Sequence, residues 1–246
     1  MALEVISFVT YVSRPPWSKA DRDAVSFIRA IKGQPVKLAK TYTLDTTKVE
    51  QAVEWFGTMA ALALEMEHLR GPILLVPMPS SDCCCGTDGT TRTLPLAVAI
   101  ASRMKDVILF DALRWRQRYM PAHQGGIRST QKLYNNLALI APLPPGTPVL
   151  VDDVFTTGAH AQAAAARLST SANQCHRAIC VARSVLTAQN ESFGFFRGKI
   201  TNLFPDHVSP DKSNEPPRNT KFHEGLLRGF PSCTFVSLVV ICLAAN

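Results

Sequence analysis

The residues best suited to chemistry lie in one stretch, VLVDDVFTTGAHA, from Val149 to Ala161. Its apolar start reads as a strand that delivers two acids, Asp152 and Asp153, to its carboxyl end. A short turn follows, Thr156, Thr157 and Gly158, and an Ala-rich helix begins directly after it. In open α/β sheets, ligands bind at the carboxyl ends of strands. A turn that opens a helix exposes backbone N–H groups where the helix carries partial positive charge, which favours a phosphate. The two threonines add hydroxyl donors, and glycine permits close backbone approach. Carboxylates are poor partners for that phosphate. They are suited to accept hydrogen bonds from sugar hydroxyls or to act through a hard cation. The pattern therefore reads as a sugar-phosphate site, with acids for ribose hydroxyls and the turn for the 5′-phosphate.

The order of residue types in this stretch resembles the phosphoribosyl pyrophosphate (PRPP) motif of the type I phosphoribosyltransferases. That motif is an apolar strand, two acids, an intervening pair and Thr-Thr-Gly. Further segments are similar to the ComF-like branch of that family. ILLVPMPSS, Ile73 to Ser81, looks like its strand ending in a Val-Pro-x-Pro turn. Arg92 stands where that branch has an Arg-Gly pair, with Thr93 in place of the glycine. Arg114, Gln124 and the run Lys132 to Asn135 follow the branch's order of a basic residue, a Gln and Arg-x-x-Asn, with Lys132 in place of the Arg. AICVARS, Ala178 to Ser184, resembles the strand that closes the domain. The resemblance covers roughly residues 47 to 186. The cysteine-rich zinc module of many ComF-like proteins is absent, and Cys83-Cys84-Cys85-Gly86 lengthens the pyrophosphate loop instead.

The resemblance implies a Rossmann-like open parallel sheet of the type I phosphoribosyltransferase kind, with a variable hood built from the flanking segments. It implies that PRPP binds with Mg²⁺ and that a nitrogenous base or amine displaces pyrophosphate. Asp152 and Asp153 would orient the ribose and touch the metal indirectly, through PRPP and water. Phe155, Thr156, Thr157, Gly158 and Ala159 would hold the 5′-phosphate. Met78, Ser80 and Ser81 would meet the pyrophosphate. A loop carrying Arg114, Arg116, Arg118, Arg128 and Lys132 would close over the site and neutralise the leaving group, with Lys132 and Arg128 placed beside the two acids as catalytic candidates. Most of these five cations also suit a solvated surface. Phe193, Phe195, Phe196, Phe204, Trp17 and Trp115 are candidates to stack on a base or to pack the hood, and His160 lies just beyond the turn.

The elements that must position these residues follow from periodicity. Glu4 to Val12 alternates as a strand. Ser18 is placed to cap a helix whose Ala24, Phe27, Ile28 and Ile31 share one face. A longer helix begins at Asp45 or Thr46 and runs to about Arg70, with Val49, Val53, Phe56, Ala60, Ala63 and Met66 at spacings of three or four, and Gly71-Pro72 stops it. Ile73 to Val76, Val107 to Phe110, Val149 to Val151 and Ile179 to Ala182 are short apolar runs, as for strands buried on both faces. Helix-like stretches, Leu94 to Met104 and Ala159 to Ser169, alternate with them. That rhythm predicts a parallel α/β sheet. Residues 47–186 form the expected core, 1–46 a flank with a hood element, and 187–246 an extension with a polar linker, Asp206 to Arg218, and an apolar tail, Phe230 to Ala245.

Composition sets the outer limits. The 246 residues are 46% hydrophobic and 18% charged, which excludes collagenous, coiled-coil and wholly disordered classes. Lys and Arg total 26 against 19 Asp and Glu, a net charge of +7, so an anionic partner is expected: PRPP, or nucleic acid, which the loop charges make unnecessary. Cysteine spacing offers no zinc site, and no signal peptide opens the chain, so a reducing cytoplasm is the simplest compartment. The tail falls short of the roughly 20 apolar residues a membrane span needs. A buried strand, a disordered tail and a membrane tether are its alternatives. A homodimer is compatible with the composition. A non-catalytic PRPP or nucleotide sensor, linked to DNA uptake as ComF-like proteins are, is the competing function.

Overall fold

Alternation along short apolar strands builds this molecule around one sheet. The structure, a computed structural model, describes residues 2–12, 16–34, 36–38, 41–43, 46–69, 71–87, 91–118, 129–169, 174–186 and 192–200. Ten strands and five helices occur among these residues. In chain order they are β1 (Leu3–Val12), α1 (Lys19–Ile31), β2 (Val36–Leu38), β3 (Thr41–Thr43), α2 (Thr46–Met66), β4 (Ile73–Pro77), α3 (Leu94–Ala101) and β5 (Val107–Leu109). Then come β6 (Leu113–Trp115), α4 (Thr130–Asn136), β7 (Leu137–Leu139), β8 (Thr147–Phe155), α5 (Ala159–Leu168), β9 (Arg177–Val185) and β10 (Phe193–Ile200).

Six strands form the central sheet in the order β10-β1-β9-β8-β4-β5. Five run parallel, and β10 pairs antiparallel with β1 at the edge. The expected α/β class with an open, mostly parallel sheet is present. Successive strand residues point to opposite faces. Leu74, Val76 and Leu150 enter one apolar core with α5, Leu133 of α4, and Leu113, Trp115 and Leu137 of the β6–β7 hairpin. Ile73, Leu75, Val149 and Val151 enter the other, with α1, α2 and α3. The sheet is thus covered on both sides, as its apolar strands require.

The helices form as their caps and faces dictate. Ser18 caps α1 in a capping box: its Oγ accepts the Asp21 N–H at 3.0 Å, and Asp21 Oδ2 accepts the Ser18 N–H at 3.0 Å. The Ser18 side-chain bond is the largest cause holding the Asp21 carboxyl below its ordinary pKa. Val12 at the end of β1 also donates to Asp21, which fixes α1 to the strand before it. Helix α2 buries Ala52, Phe56, Ala60, Ala63 and Leu64, whereas Met66, expected on the same face, is exposed at the helix end. Gly57 lets α2 lie against α3, because a Cβ there would sit 2.7 Å from the Ala99 carbonyl oxygen.

β1 from residues 1–46 lies inside the sheet between β9 and β10, and β10 from 187–246 forms its edge. Two expectations are revised. The run Val107 to Phe110 is not buried on both faces. As β5 it is the other edge, where Ile108 and Leu109 are each 39% exposed. The polar stretch from 114 to 136 contains β6 and α4, and β7 follows, so it is partly a folded hairpin. Phe204, the linker, the apolar tail, Cys233 and Cys242 lie outside the described residues. Among those described, no helix is long and apolar enough to cross a membrane.

Candidate functional site

Strand β8 lies between β4 and β9, all parallel, so its acids emerge at the carboxyl edge of the sheet interior. The two side chains meet different neighbours. Asp152 pairs in register with Cys180, and its Oδ1 accepts the Asp153 N–H at 2.8 Å. Asp153 meets Lys32 at the end of α1, with Nζ to Oδ2 at 3.3 Å. Burial, and secondly the neighbouring Asp153 charge, push the Asp152 carboxyl from 3.8 up to about 8.

That shift predicts a pH-dependent stability. Between 3.8 and about 8 the folded chain keeps a proton on Asp152 that the unfolded chain has released. Its contribution is intact below this window and is lost as pH rises through the folded value. Asp152→Asn removes the ionisation. The gap between the melting temperature of the variant and that of the wild type is expected to be smallest near pH 4 and to widen, with the variant higher, as pH rises to about 9. Thermal melts at the two pH values check this, and an equal gap at both would refute it.

Beyond the acids, the chain turns through Thr156 and Thr157, both exposed, into α5. Gly158 at the N-cap has φ +76° and ψ 0°, the left-handed region that glycine enters without strain. As a glycine it has no side chain to cap α5, and the first turn of the helix carries no acid. The Ala159 N–H reaches Thr157 Oγ1 at 3.5 Å. Ala161, Ala163, Ala164 and Ala165 are buried, so small side chains let α5 lie close on the sheet. The turn presents hydroxyls and a helix N-terminus beside two carboxylates, as a sugar phosphate needs.

The second segment at this edge follows β4. The Met78 side chain is buried in the core, its N–H donates to the Val151 carbonyl at 2.9 Å, and its carbonyl accepts from Thr93 Oγ1 at 2.8 Å. These bonds brace the loop. Ser80 Oγ accepts the Arg92 N–H at 3.0 Å, and Ser81 is half-buried. The cysteine run is ordered by Trp115. Trp115 N–H donates to the Cys83 carbonyl at 3.0 Å, its carbonyl accepts the Cys85 N–H at 2.7 Å, and its Nε1 donates to the Pro79 carbonyl at 3.2 Å. Cys83 and Cys84 are buried and Cys85 is exposed. Burial raises the Cys84 thiol, pushes Cys175 to about 12 and holds Cys180 well above its ordinary value, which leaves these three thiols unreactive.

The four described basic residues of the expected closing loop, Arg114, Arg116, Arg118 and Lys132, divide between the β6 segment and α4. Arg114 belongs to β6 and is committed to Asp111, with Nη1 to Oδ1 at 2.7 Å and Nη2 to Oδ2 at 3.1 Å. Asp111 also accepts from Thr91 at 2.9 Å. Arg114 is therefore a strut of the loop wall and does not belong to a mobile clamp. Arg116, Arg118 and Lys132 are exposed. The Arg118 charge reaches the cysteine run, where it opposes the rise at Cys84. Lys132 lies in the first turn of α4, whose N-cap is Ser129. Helix α4 is joined to α5 by Thr130 Oγ1 donating to Gln162 Oε1 at 3.1 Å and by Arg167 donating to the Tyr134 carbonyl at 2.6 Å. Arg128 and Gln124 lie outside the described residues.

His160 stacks edge-on against Trp115, with ring centroids 5.9 Å apart, and burial lowers its pKa. The aromatic residues Phe193 and Phe195 pack edge-on against Phe27 and Phe8, so they serve packing. Lys32 and Tyr11 are additions that no sequence motif indicates. Tyr11 lies near the end of β1, and burial, then the Asp153 charge, push its hydroxyl pKa up. Among the described residues no group of three or more His, Cys, Asp or Glu could hold a metal ion. The acid pair supplies hard oxygens of the kind Mg²⁺ takes, but too few to hold it without oxygens from a ligand.

No family model and no curated protein matches the chain. Among solved structures, it is similar to a hypoxanthine phosphoribosyltransferase from Staphylococcus aureus in two crystal forms, at 9% and 11% identity and TM-scores of 0.32 and 0.34. Each match covers 58% of this chain and 71% of that one. It is also similar to UMP synthase from Leishmania donovani, at 12% identity and a TM-score of 0.35, over 66% of this chain and 31% of that one. At these identities no residue's role transfers from them.

Proposed function

We propose that this protein is a PRPP-dependent phosphoribosyltransferase, which moves a 5-phosphoribosyl group to a nitrogenous acceptor and releases pyrophosphate. One observation carries the reading. Two acids at the carboxyl end of an interior parallel strand run straight into a Thr-Thr-Gly turn with Gly158 at φ +76°, and that turn opens α5.

The residues divide the work as follows. Asp152 and Asp153 accept hydrogen bonds from the ribose hydroxyls and orient the sugar. The N–H groups of Phe155 to Ala159, with the hydroxyls of Thr156 and Thr157, hold the 5′-phosphate. Ser80 and Ser81 lie on the loop suited to the pyrophosphate. Arg116, Arg118, Arg128 and Lys132 are the cations proposed to offset its charge. Asp152 and Asp153 would touch Mg²⁺ only indirectly, through the substrate, and the ion would supply positive charge to the leaving pyrophosphate. As the acceptor nitrogen bonds to the anomeric carbon, the carbon–oxygen bond to pyrophosphate breaks, and positioning with charge stabilisation lowers the barrier.

The test is to incubate the protein with PRPP, Mg²⁺ and a panel of bases and amines and to assay pyrophosphate. Acceptor-dependent release is the expected result. PRPP binding without release would identify a sensor instead of an enzyme.

A further inference from the structure

Lys32 belongs to no motif, yet it is built into the site. It closes α1, where its N–H donates to the Ile28 carbonyl at 3.0 Å. The helix behind it is fixed at both ends, by the Ser18–Asp21 capping box and by Ala24, Ile28 and Ile31 in the core. The side chain leaves this anchored point and meets Asp153 at 3.3 Å, with 24% and 16% of the two side chains exposed. Tyr11 of β1 lies close enough to feel the Asp153 charge. Two consecutive N-terminal elements, β1 and α1, thus bring side chains to a carboxylate of β8, which is distant in sequence.

A carboxylate charge creates a conflict at such a site. It is suited to accept ribose hydroxyls, but it repels the phosphates of the same molecule and attracts a bare cation. A fixed ammonium group beside Asp153 changes that balance. We propose that Lys32 is a positioning residue: the resident counter-ion of Asp153, which cancels the charge of that carboxylate so that a sugar phosphate, not a bare divalent cation, settles there. This rests on the sugar-phosphate reading of the turn. It extends that reading to the N-terminal segment, which supplies part of the site.

The proposal requires opposite effects on an anion and a cation. Lys32→Met and Lys32→Gln are compared with the wild type for PRPP–Mg²⁺ affinity by calorimetry. Affinity for Mn²⁺ alone is read from the electron paramagnetic resonance signal of the free ion. Both variants are expected to bind PRPP about tenfold more weakly and Mn²⁺ about tenfold more tightly, the scale of one charged hydrogen bond. Lys32→Arg is expected to stay near the wild type in both. Thermal melts identify the folded variants, and either neutral substitution suffices. A purely structural Lys32 would not move the two affinities in opposite directions. Unchanged or weaker Mn²⁺ binding in a folded variant overturns the proposal. If the wild type binds no PRPP, the sugar-phosphate reading fails, while the Mn²⁺ comparison still decides whether Lys32 is the counter-ion.

Discussion

Asp152→Asn combined with Asp153→Asn is expected to weaken PRPP binding by more than ~100-fold and to leave the fold intact. A ribose hydroxyl held by the Asp153 carboxylate contributes a charge-assisted bond worth about 1.5–3 kcal/mol, and one held by Asp152, whose charge burial disfavours, about 1 kcal/mol. Losing both removes about 2.5–4 kcal/mol, or roughly two to three powers of ten. The fold survives because neither acid holds it together. Asp152 is raised to about 8 by burial, so its ionisation opposes folding at high pH. Asp153 contributes one partly exposed pair with Lys32. Calorimetry with PRPP and Mg²⁺, beside a circular dichroism melt, measures both quantities. A folded double variant with wild-type affinity would remove the acids from the site.

Trp115→Ala should produce the largest loss of stability. Trp115 is wholly buried, packs edge-on with His160, and lies in the core with Leu113, Leu133 and Leu137. Its backbone binds Cys83 and Cys85 on both sides, and its ring nitrogen holds the Pro79 carbonyl. Truncation opens a large cavity and leaves that carbonyl unsatisfied, at a cost of about 3–5 kcal/mol. Trp115→Phe keeps most of the packing and loses chiefly the Nε1 bond, so it should cost closer to ~1 kcal/mol in transfer and hydrogen bonding together with its smaller volume change. Urea unfolding separates the two variants. A loss below about 1 kcal/mol for Trp115→Ala would mean that the loop does not depend on this residue.

The parts legible in the sequence are those whose signal is local. Ser18 marked the start of α1, and the apolar run after Pro72 marked β4. The acids and the glycine of the turn are contiguous, so their joint placement at the end of β8 followed from one strand and one helix. What escaped was set by tertiary pairing. Val107 to Phe110 has the apolar run of an interior strand, but order in the sheet put it at an edge. β1 was legible as a strand, but its place between β9 and β10 comes from partners near the other end of the described chain. Arg114 reads as a free cation until Asp111 is folded back onto it. Met78 reads as part of a ligand loop, and its backbone bonds to Val151 and Thr93 also brace that loop. Lys32 carries no signal at all, since its role depends on where α1 ends relative to β8.

The most direct measurement is titration of the wild-type protein with PRPP in the presence of Mg²⁺ by calorimetry. The acid pair and the Gly158 turn predict saturable binding of one PRPP per chain, displaced by ribose 5-phosphate together with pyrophosphate. No saturable heat up to millimolar PRPP, from protein whose melt shows it folded, would contradict the assignment of this turn as a sugar-phosphate site.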